Sequence, residues 1–400
     1  MNPGQGTSPV VQANQQVPMS ISEARRGNVL DERRMLSRVA VADWWQILAN
    51  LVEARRVAGC DWPQSTKEHV QEMARTALRF TRPDGSVAFG PGGVVDGRAK
   101  FLRSLAVLLG DAGIATVGRW WYGKRKSCSL EGPPPLPAFG DLSRALAMLR
   151  ADWGKTGDSL AVDARDPAMP RVDLTIGGTP IVGPAWPGTH GPARMRLWIT
   201  SSTADCAEWS VGTGGARIVR TAILLRNRGL AILAQQAATT SDGVCSRIAL
   251  GEGVATRPIA KSRVLMLKPV GSGSPTSAIP LALNPEGGGS FAAEGGLLSL
   301  TAPTAVGSRV WLPILFSWDK DRIRKAVRWR LLTVSEKGRI CPSDKAFAAR
   351  VSWGLGDGLV IYRSLGKPAT RTFLGYQTSA RLFIGLLSAE GNVTPLLRVE

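Results

Sequence analysis

The side chains that most often move protons near neutral pH are scarce in this chain. Its 400 residues include two histidines, His69 and His190. His69 falls within a helical pattern, where a surface or capping role accounts for it. His190 follows Trp186-Pro187-Gly188-Thr189 in a Gly/Pro loop, and such loops carry catalytic groups more often than cores do. It is the candidate for proton transfer. Two histidines so far apart do not make a multi-histidine metal site, and neither a metal nor a cofactor is expected. The nucleophile elbow G-x-S-x-G and the zinc pattern H-E-x-x-H are both absent. Gly212-Thr213-Gly214-Gly215 leads into the alternating run Arg217-Ile218-Val219-Arg220. A phosphate loop opens a helix instead, so this glycine run is expected to be a hairpin turn. Cys60, Cys128, Cys206, Cys245 and Cys341 are odd in number and widely spaced, with no C-x-x-C pair. That pattern argues against a disulfide framework or a thiolate zinc site and predicts reduced thiols.

Two clusters mix cations with aromatic rings. One is Arg119-Trp120-Trp121-Tyr122-Gly123-Lys124-Arg125-Lys126. The other is Lys320, Arg322, Arg324, Lys325, Arg328 and Arg330, with Trp318 and Trp329 between them. Guanidinium forks pair with carboxylate, sulfate or phosphate, and aromatic faces stack on sugars or bases. Both clusters are candidate polyanion-binding surfaces. The alternative is that the tryptophans are core and the cations a solvated edge. Alternation over residues 327–334 puts Val327, Trp329 and Leu331 on one face and Arg328 and Arg330 on the other.

The elements that must hold these groups change in texture near residue 160. Upstream, apolar residues recur every three or four positions. The pattern predicts helices over residues 30–58, from 65 to about 80 with a Ser65–Glu68 capping box, over 98–117 and over about 141–153. Pro83-Asp84-Gly85 marks a turn, and Pro133-Pro134-Pro135-Leu136-Pro137 a stiff spacer. Downstream the period becomes two. Strands are expected at 172–176, 195–200, 216–225, 230–233, 263–267, 297–300, 310–316, 327–334, 359–362 and 382–387. Strands this numerous, with turns this frequent, predict stacked antiparallel sheets. The expected organisation is a disordered tail over 1–20, a helical domain over 21–155, a linker over 156–169 and a β-sandwich over 170–400.

The net charge is +19, a field that attracts nucleic acid, acidic polysaccharide or an anionic surface without choosing among them. Residues 301–400 hold sixteen Lys and Arg against seven Asp and Glu, whereas residues 131–200 hold seven of each. The excess therefore favours a basic face over a uniform coat. Residues 1–20 lack both the charged start and the apolar stretch of an export signal, and no run approaches the length of a membrane span. A cytoplasmic protein is expected, with export open if the true start lies upstream.

Several stretches in the second half share an order with a known family. They are Gly177-Gly178-Thr179-Pro180 with Trp186, Ala207-Glu208-Trp209, Gly214 to Arg220, Leu230-Ala231-Ile232-Leu233, Trp329 with Leu332-Thr333-Val334, and Ile361-Tyr362-Arg363-Ser364-Leu365 through Arg371. Residues 170–400 in this reading resemble the C-terminal part of heparinase II/III-like bacterial proteins, and above all their uncharacterised relatives. Residues 79–86 are similar to loops of the family's helical domain. The resemblance implies an α+β multidomain fold: a short N-terminal helical domain, partly like an α/α toroid, then a large antiparallel β-sandwich. It also implies β-elimination on acidic polysaccharides. That reaction needs a base, a group that neutralises the uronate carboxylate, and an acid for the leaving oxygen. His190, Tyr362 or Tyr122 would move protons, and Arg363 or Arg371 would meet the carboxylate. The helical part is shorter than a full toroid, and no position matches a family catalytic residue. Three functions stand side by side: a degenerate heparinase-like protein that binds an acidic glycan or other polyanion, an active lyase, or a nucleic-acid-associated or structural protein.

Overall fold

The structure, a computed structural model, describes residues 40–400 apart from 91–95, 124–129, 155–156, 167, 188–190, 214–216, 240–242, 272, 286, 304 and 355–357. Four helices come first: α1 (Trp44–Ala58), α2 (Gln64–Arg79), α3 (Arg98–Leu109) and α4 (Ala112–Tyr122). The expected helix over 30–58 lies outside the described residues up to 39. Gly59 ends α1 as anticipated, its left-handed φ of 64° letting its N–H reach the Arg55 carbonyl. The Ser65–Glu68 capping box is not what starts α2. The helix begins behind Pro63 without a side-chain cap, and Glu68 accepts a bond from Gln64. The single helix expected over 98–117 is two helices. Gly110, at φ 65°, closes α3, and the Asp111 carboxylate caps α4 by accepting the Ile114 N–H at 3.0 Å.

The helix expected over 141–153 is a hairpin of β1 (Phe139–Asp141) and β2 (Leu146–Arg150). Leu142, Leu146 and Leu149 are spaced for a helix, but every residue of β2 is buried. A strand covered on both faces shows a continuous apolar run that periodicity cannot separate from a helix. β3 (Ser159–Asp163) occupies part of the stretch expected as linker, and with β4 (Arg171–Ile176) and β5 (Thr179–Val182) it completes a five-stranded meander.

Strands β6 (Ala193–Thr200), β7 (Ala204–Val211), β8 (Ile218–Leu225) and β9 (Leu230–Ala238) join β11 (Val254–Pro258), β12 (Leu265–Pro269), β13 (Thr276–Pro280) and β16 (Arg309–Ser317). They form an eight-stranded antiparallel sheet in the order β11-β12-β13-β16-β9-β8-β7-β6. Gly212 and Thr213 begin the connection between the antiparallel neighbours β7 and β8, as a hairpin requires. Strands β10 (Val244–Ala249), β14 (Ser290–Glu294) and β15 (Leu297–Ala302) form a small sheet. A short helix, α5 (Lys320–Ile323), precedes a second five-stranded sheet of β17 (Val327–Leu331), β20 (Ala346–Trp353), β21 (Gly358–Ser364), β24 (Leu382–Leu387) and β25 (Val393–Val399). A four-stranded sheet of β18 (Ser335–Glu336), β19 (Arg339–Ile340), β22 (Arg371–Phe373) and β23 (Tyr376–Thr378) completes the chain.

The fold is thus α+β, with few helices followed by a large antiparallel β-sandwich. The eight-stranded sheet packs one face on the β17–β25 sheet, around Ile223, Leu225, Ile232, Leu359 and Ile361. Its other face packs on the β1–β5 meander and the small sheet, around Ala222, Leu224, Leu233, Leu174 and Leu298. Strand alternation sends successive residues of β8 into different cores, which explains why nearly all of it is buried. Gly140 of β1 lies so near Trp198 of β6 that a side chain there would overlap the indole.

The helices are fastened to the sheets by buried polar contacts. Arg82 places Nη2 at 2.6 Å from the Asp173 carboxylate of β4 and donates Nε–H to Thr175 at 3.0 Å. Asp173 also accepts from the Phe89 N–H and the Thr175 hydroxyl, both at 2.8 Å. Arg150 of β2 donates to the Thr81 carbonyl at 2.8 Å, and Trp121 of α4 to the Trp153 carbonyl at 2.8 Å. Removing one member of a buried ion pair strands the other charge, at a cost of about 3–5 kcal/mol. Asp173→Ala should lower the unfolding free energy by about that much in urea titration. A loss under ~1 kcal/mol would show that this latch does not hold the helices to the meander.

Candidate functional site

At one end of the space between the eight-stranded and β17–β25 sheets, the apolar core gives way to arginine. Each contribution follows from strand alternation. On β7, Glu208 lies two residues beyond Cys206, on the face that carries the second core. On β21, Arg363 lies two beyond Ile361, on the face that looks back at it. Gln236 of β9 donates the third polar group on that level, accepting the Arg363 Nε–H at 3.3 Å. Arg309 begins β16, and Arg217 and Arg381 immediately precede β8 and β24. Arg196 sits where the β6–β7 register slips between Met195 and Leu197. It is the extra residue of a β-bulge, a device that re-aims a side chain.

These groups line a cleft of about 530 Å³ in which Arg196, Arg217, Arg309, Arg363 and Arg381 converge. Glu208, fully buried behind the cleft, is the carboxylate that three of them share. Arg363 approaches it to 2.7 Å, Arg381 to 3.3 Å and Arg196 to 3.8 Å. Neither Glu208 oxygen forms an aligned hydrogen bond, so these are charge contacts, not fork-to-fork pairs. Arg309 donates to the Leu365 carbonyl at 2.9 Å, and Arg217 to the Ser210 hydroxyl at 3.3 Å. Burial pulls the Arg196 guanidinium below its ordinary value. Glu208 opposes that, while Arg217, Arg381 and Arg363 reinforce it. Crowded cations with too little counter-charge favour any anion that enters. Burial pushes the neighbouring Cys206 thiol up, which keeps it protonated and inert.

Of the residues singled out in the sequence, Arg363 lines this cleft. Tyr362 points the other way from the same strand. It is fully buried, stacks on Phe373 with centroids 5.1 Å apart, and accepts a bond from Arg371 Nη1 at 3.1 Å. Arg371 is itself buried and also holds Ser364 at 2.7 Å and Glu336 at 2.9 Å. Tyr122 ends α4 in the helical part, and burial pushes its phenol up to about 12. His190 lies outside the described residues. The loop that leads to it is held by Arg220, which donates to the Trp186 and Pro187 carbonyls at 2.5 and 2.9 Å.

The first basic-aromatic cluster divides. Arg119 donates to the Leu130 carbonyl at 2.8 Å, Trp120 is exposed, and Trp121 is buried. Lys124, Arg125 and Lys126 lie outside the described residues. In the second, Trp318 and Trp329 belong to the cores. Lys320, Arg324, Lys325, Arg328 and Arg330 are exposed. Arg322 reaches the Arg228 carbonyl at 2.6 Å and lies 4.9 Å over the Trp353 ring. Arg330 stands directly opposite Arg350 across the β17–β20 pair.

Arg196, Glu208, Arg217, Gln236, Arg309 and Arg381 were not singled out for the site. Glu208 left one trace: it is a charged residue deep in a strand that is buried throughout. The arginines left none, since cations at strand ends, or at a bulge as Arg196 is, resemble many others in the chain. Among the described residues no group of three or more His, Cys, Asp or Glu could hold a metal, and no helix is long and apolar enough to cross a membrane. Cys60, Cys206, Cys245 and Cys341 are free thiols, and Cys128 lies outside the described residues.

No family model matches this sequence, and no curated protein matches it. Solved structures do match in fold. A heparan sulfate lyase from Pedobacter heparinus superposes with a TM-score of 0.54 at 13% identity, covering 90% of this chain and 58% of that one. A heparinase III gives 0.56 at 9% identity, over 81% and 58% of the two chains. Another heparinase III gives 0.55 at 11%, over 73% and 52%. The likeness is one of fold, and the chain spans a little over half the length of these proteins.

Glu208→Gln keeps the shape of the site and removes its one negative charge. Thermal unfolding should show a destabilised protein, by about 3 kcal/mol, that recovers more stability from added sulfate than the parent does. Equal sulfate responses would show that Glu208 does not occupy the place an anion takes.

Proposed function

We propose that the protein binds an acidic polysaccharide, or a comparable polyanion, in the arginine cleft, as a heparinase-like protein that does not cleave its ligand. The observation that carries this reading is the convergence of Arg196, Arg217, Arg309, Arg363 and Arg381 on one cleft, with the buried Glu208 carboxylate behind three of them. Guanidinium groups hold sulfate and carboxylate through paired N–H donors. A solved structure of similar fold is named as a lyase of heparan sulfate, which carries both kinds of anion along one chain.

Cleavage asks for more than binding. A lyase must take a proton from beside the uronate carboxylate and return one to the leaving oxygen. The Tyr362 hydroxyl is engaged by Arg371 on the far side of the sheet from the cleft. Tyr122 is held in the helical part with its phenol at about 12, well above the range for proton transfer at neutral pH. His69 bonds the Ser65 carbonyl one helical turn away. For these three side chains the placements favour binding over elimination, and His190 lies outside the described residues.

Retention on heparin resin tests the reading. The parent should elute late, with strong salt dependence. Arg217→Ala with Arg309→Ala, both at the exposed rim, should weaken heparin binding about tenfold or more per lost charged contact. Arg328→Ala with Arg330→Ala, on the outer face of β17, should change it little. The reverse ranking would move the site to β17. Incubation with a panel of uronate glycans should leave ultraviolet absorbance flat, and growth of an unsaturated-uronate signal would replace binding with catalysis.

A further inference from the structure

The arginine cleft does not end at its cations. An apolar pocket of about 440 Å³ adjoins it, and Arg309 and Leu365 line both. Leu283, Val310, Trp311, Leu331 and Phe347 supply much of its wall. Arg309 and Trp311 stand two residues apart on β16 and therefore on one face, about 7 Å from each other. Cation and ring thus follow in sequence along a single strand. One detail separates this pocket from an ordinary gap in a core. Leu331 is 45% exposed at its wall, a large apolar side chain left open to solvent.

We propose that the ligand is an acidic saccharide bearing an acyl chain. This deepens the acidic-glycan reading and rests on it. The sulfate or carboxylate lies among the arginines, and the chain runs past Arg309 into the apolar pocket. A wholly polar glycan would leave the apolar wall wet. A simple fatty acid would leave most of the cations unmatched. An occupant charged at one end and apolar at the other suits both of these adjoining spaces.

A matched set of probes tests this on the full chain by titration calorimetry: N-acetylglucosamine 6-sulfate, N-octanoylglucosamine 6-sulfate and uncharged N-octanoylglucosamine. Burial of a methylene is worth about fourfold in affinity, so the six added methylenes should tighten binding at least ~30-fold even if half stay in water. The uncharged probe should bind far more weakly than its sulfated counterpart. Leu331→Asp, at an exposed position, should erase the chain-length gain and leave N-acetylglucosamine 6-sulfate binding intact, whereas Leu331→Met should keep the gain. Equal affinity for the two sulfated probes overturns the acyl proposal while the acidic-glycan reading stands. No binding of either sulfated probe overturns both.

Discussion

A single carboxylate without access to water governs the arrangement at the sheet interface. Two unit charges 4 Å apart near a protein surface interact by about 4 kcal/mol. Five guanidinium groups drawn into one cleft would repel strongly, and Glu208 relieves that repulsion for the three nearest. Among the described residues, Arg217 and Arg309 line the cleft and make no ion pair with Glu208. The fold therefore tolerates the crowding in its empty state yet retains an excess of positive charge. Had the floor been apolar, Arg363 would be buried with no counter-charge at all. Had it held more carboxylates, the cleft would be an ion-pair network closed on itself.

The cleft lies where it does because of how the sheets stack. The eight-stranded sheet is covered on both faces, so its middle strands have no polar face to offer. Most charged residues of this sheet sit at strand ends or at a bulge, and Glu208 and Arg220 are buried exceptions within strands. At the cleft, side chains from β6, β7, β9, β16 and β21 meet those that introduce β8 and β24. The helices take no part in it. Their contribution is the Arg82–Asp173 latch and the tryptophan contacts that bind them to the meander, which leaves the far sheet interface free.

The order of elements was legible in the sequence because period-two alternation and dense turn signals survive any detail of packing. Where a strand was misread as a helix, the cause was burial on two faces. Leu146–Arg150 shows no alternation because nothing about it is exposed, and a helix was the natural inference. The site was mostly illegible for a different reason. Its arginines come from positions between 196 and 381, so no local spacing marks them. Arg363 was found through its neighbourhood with Tyr362 and Arg371. Those two turn out to sit on the opposite face, in a network of their own. A side chain's sheet face, which a one-residue difference inverts, decides such questions, and the residue types alone do not reveal it.

That inversion has a lasting trace in β6. Met195 packs in the core shared with the meander, and Leu197 packs toward the other core. Residues two apart on a regular strand would face the same way. The supernumerary Arg196 makes the switch, so the strand changes allegiance midway while keeping its partner. Drift along this segment is free to exchange one residue for another but not to alter their number. Dropping one would hand the first half of the strand to the wrong hydrophobic compartment, and homologous chains should preserve its length more faithfully than its letters.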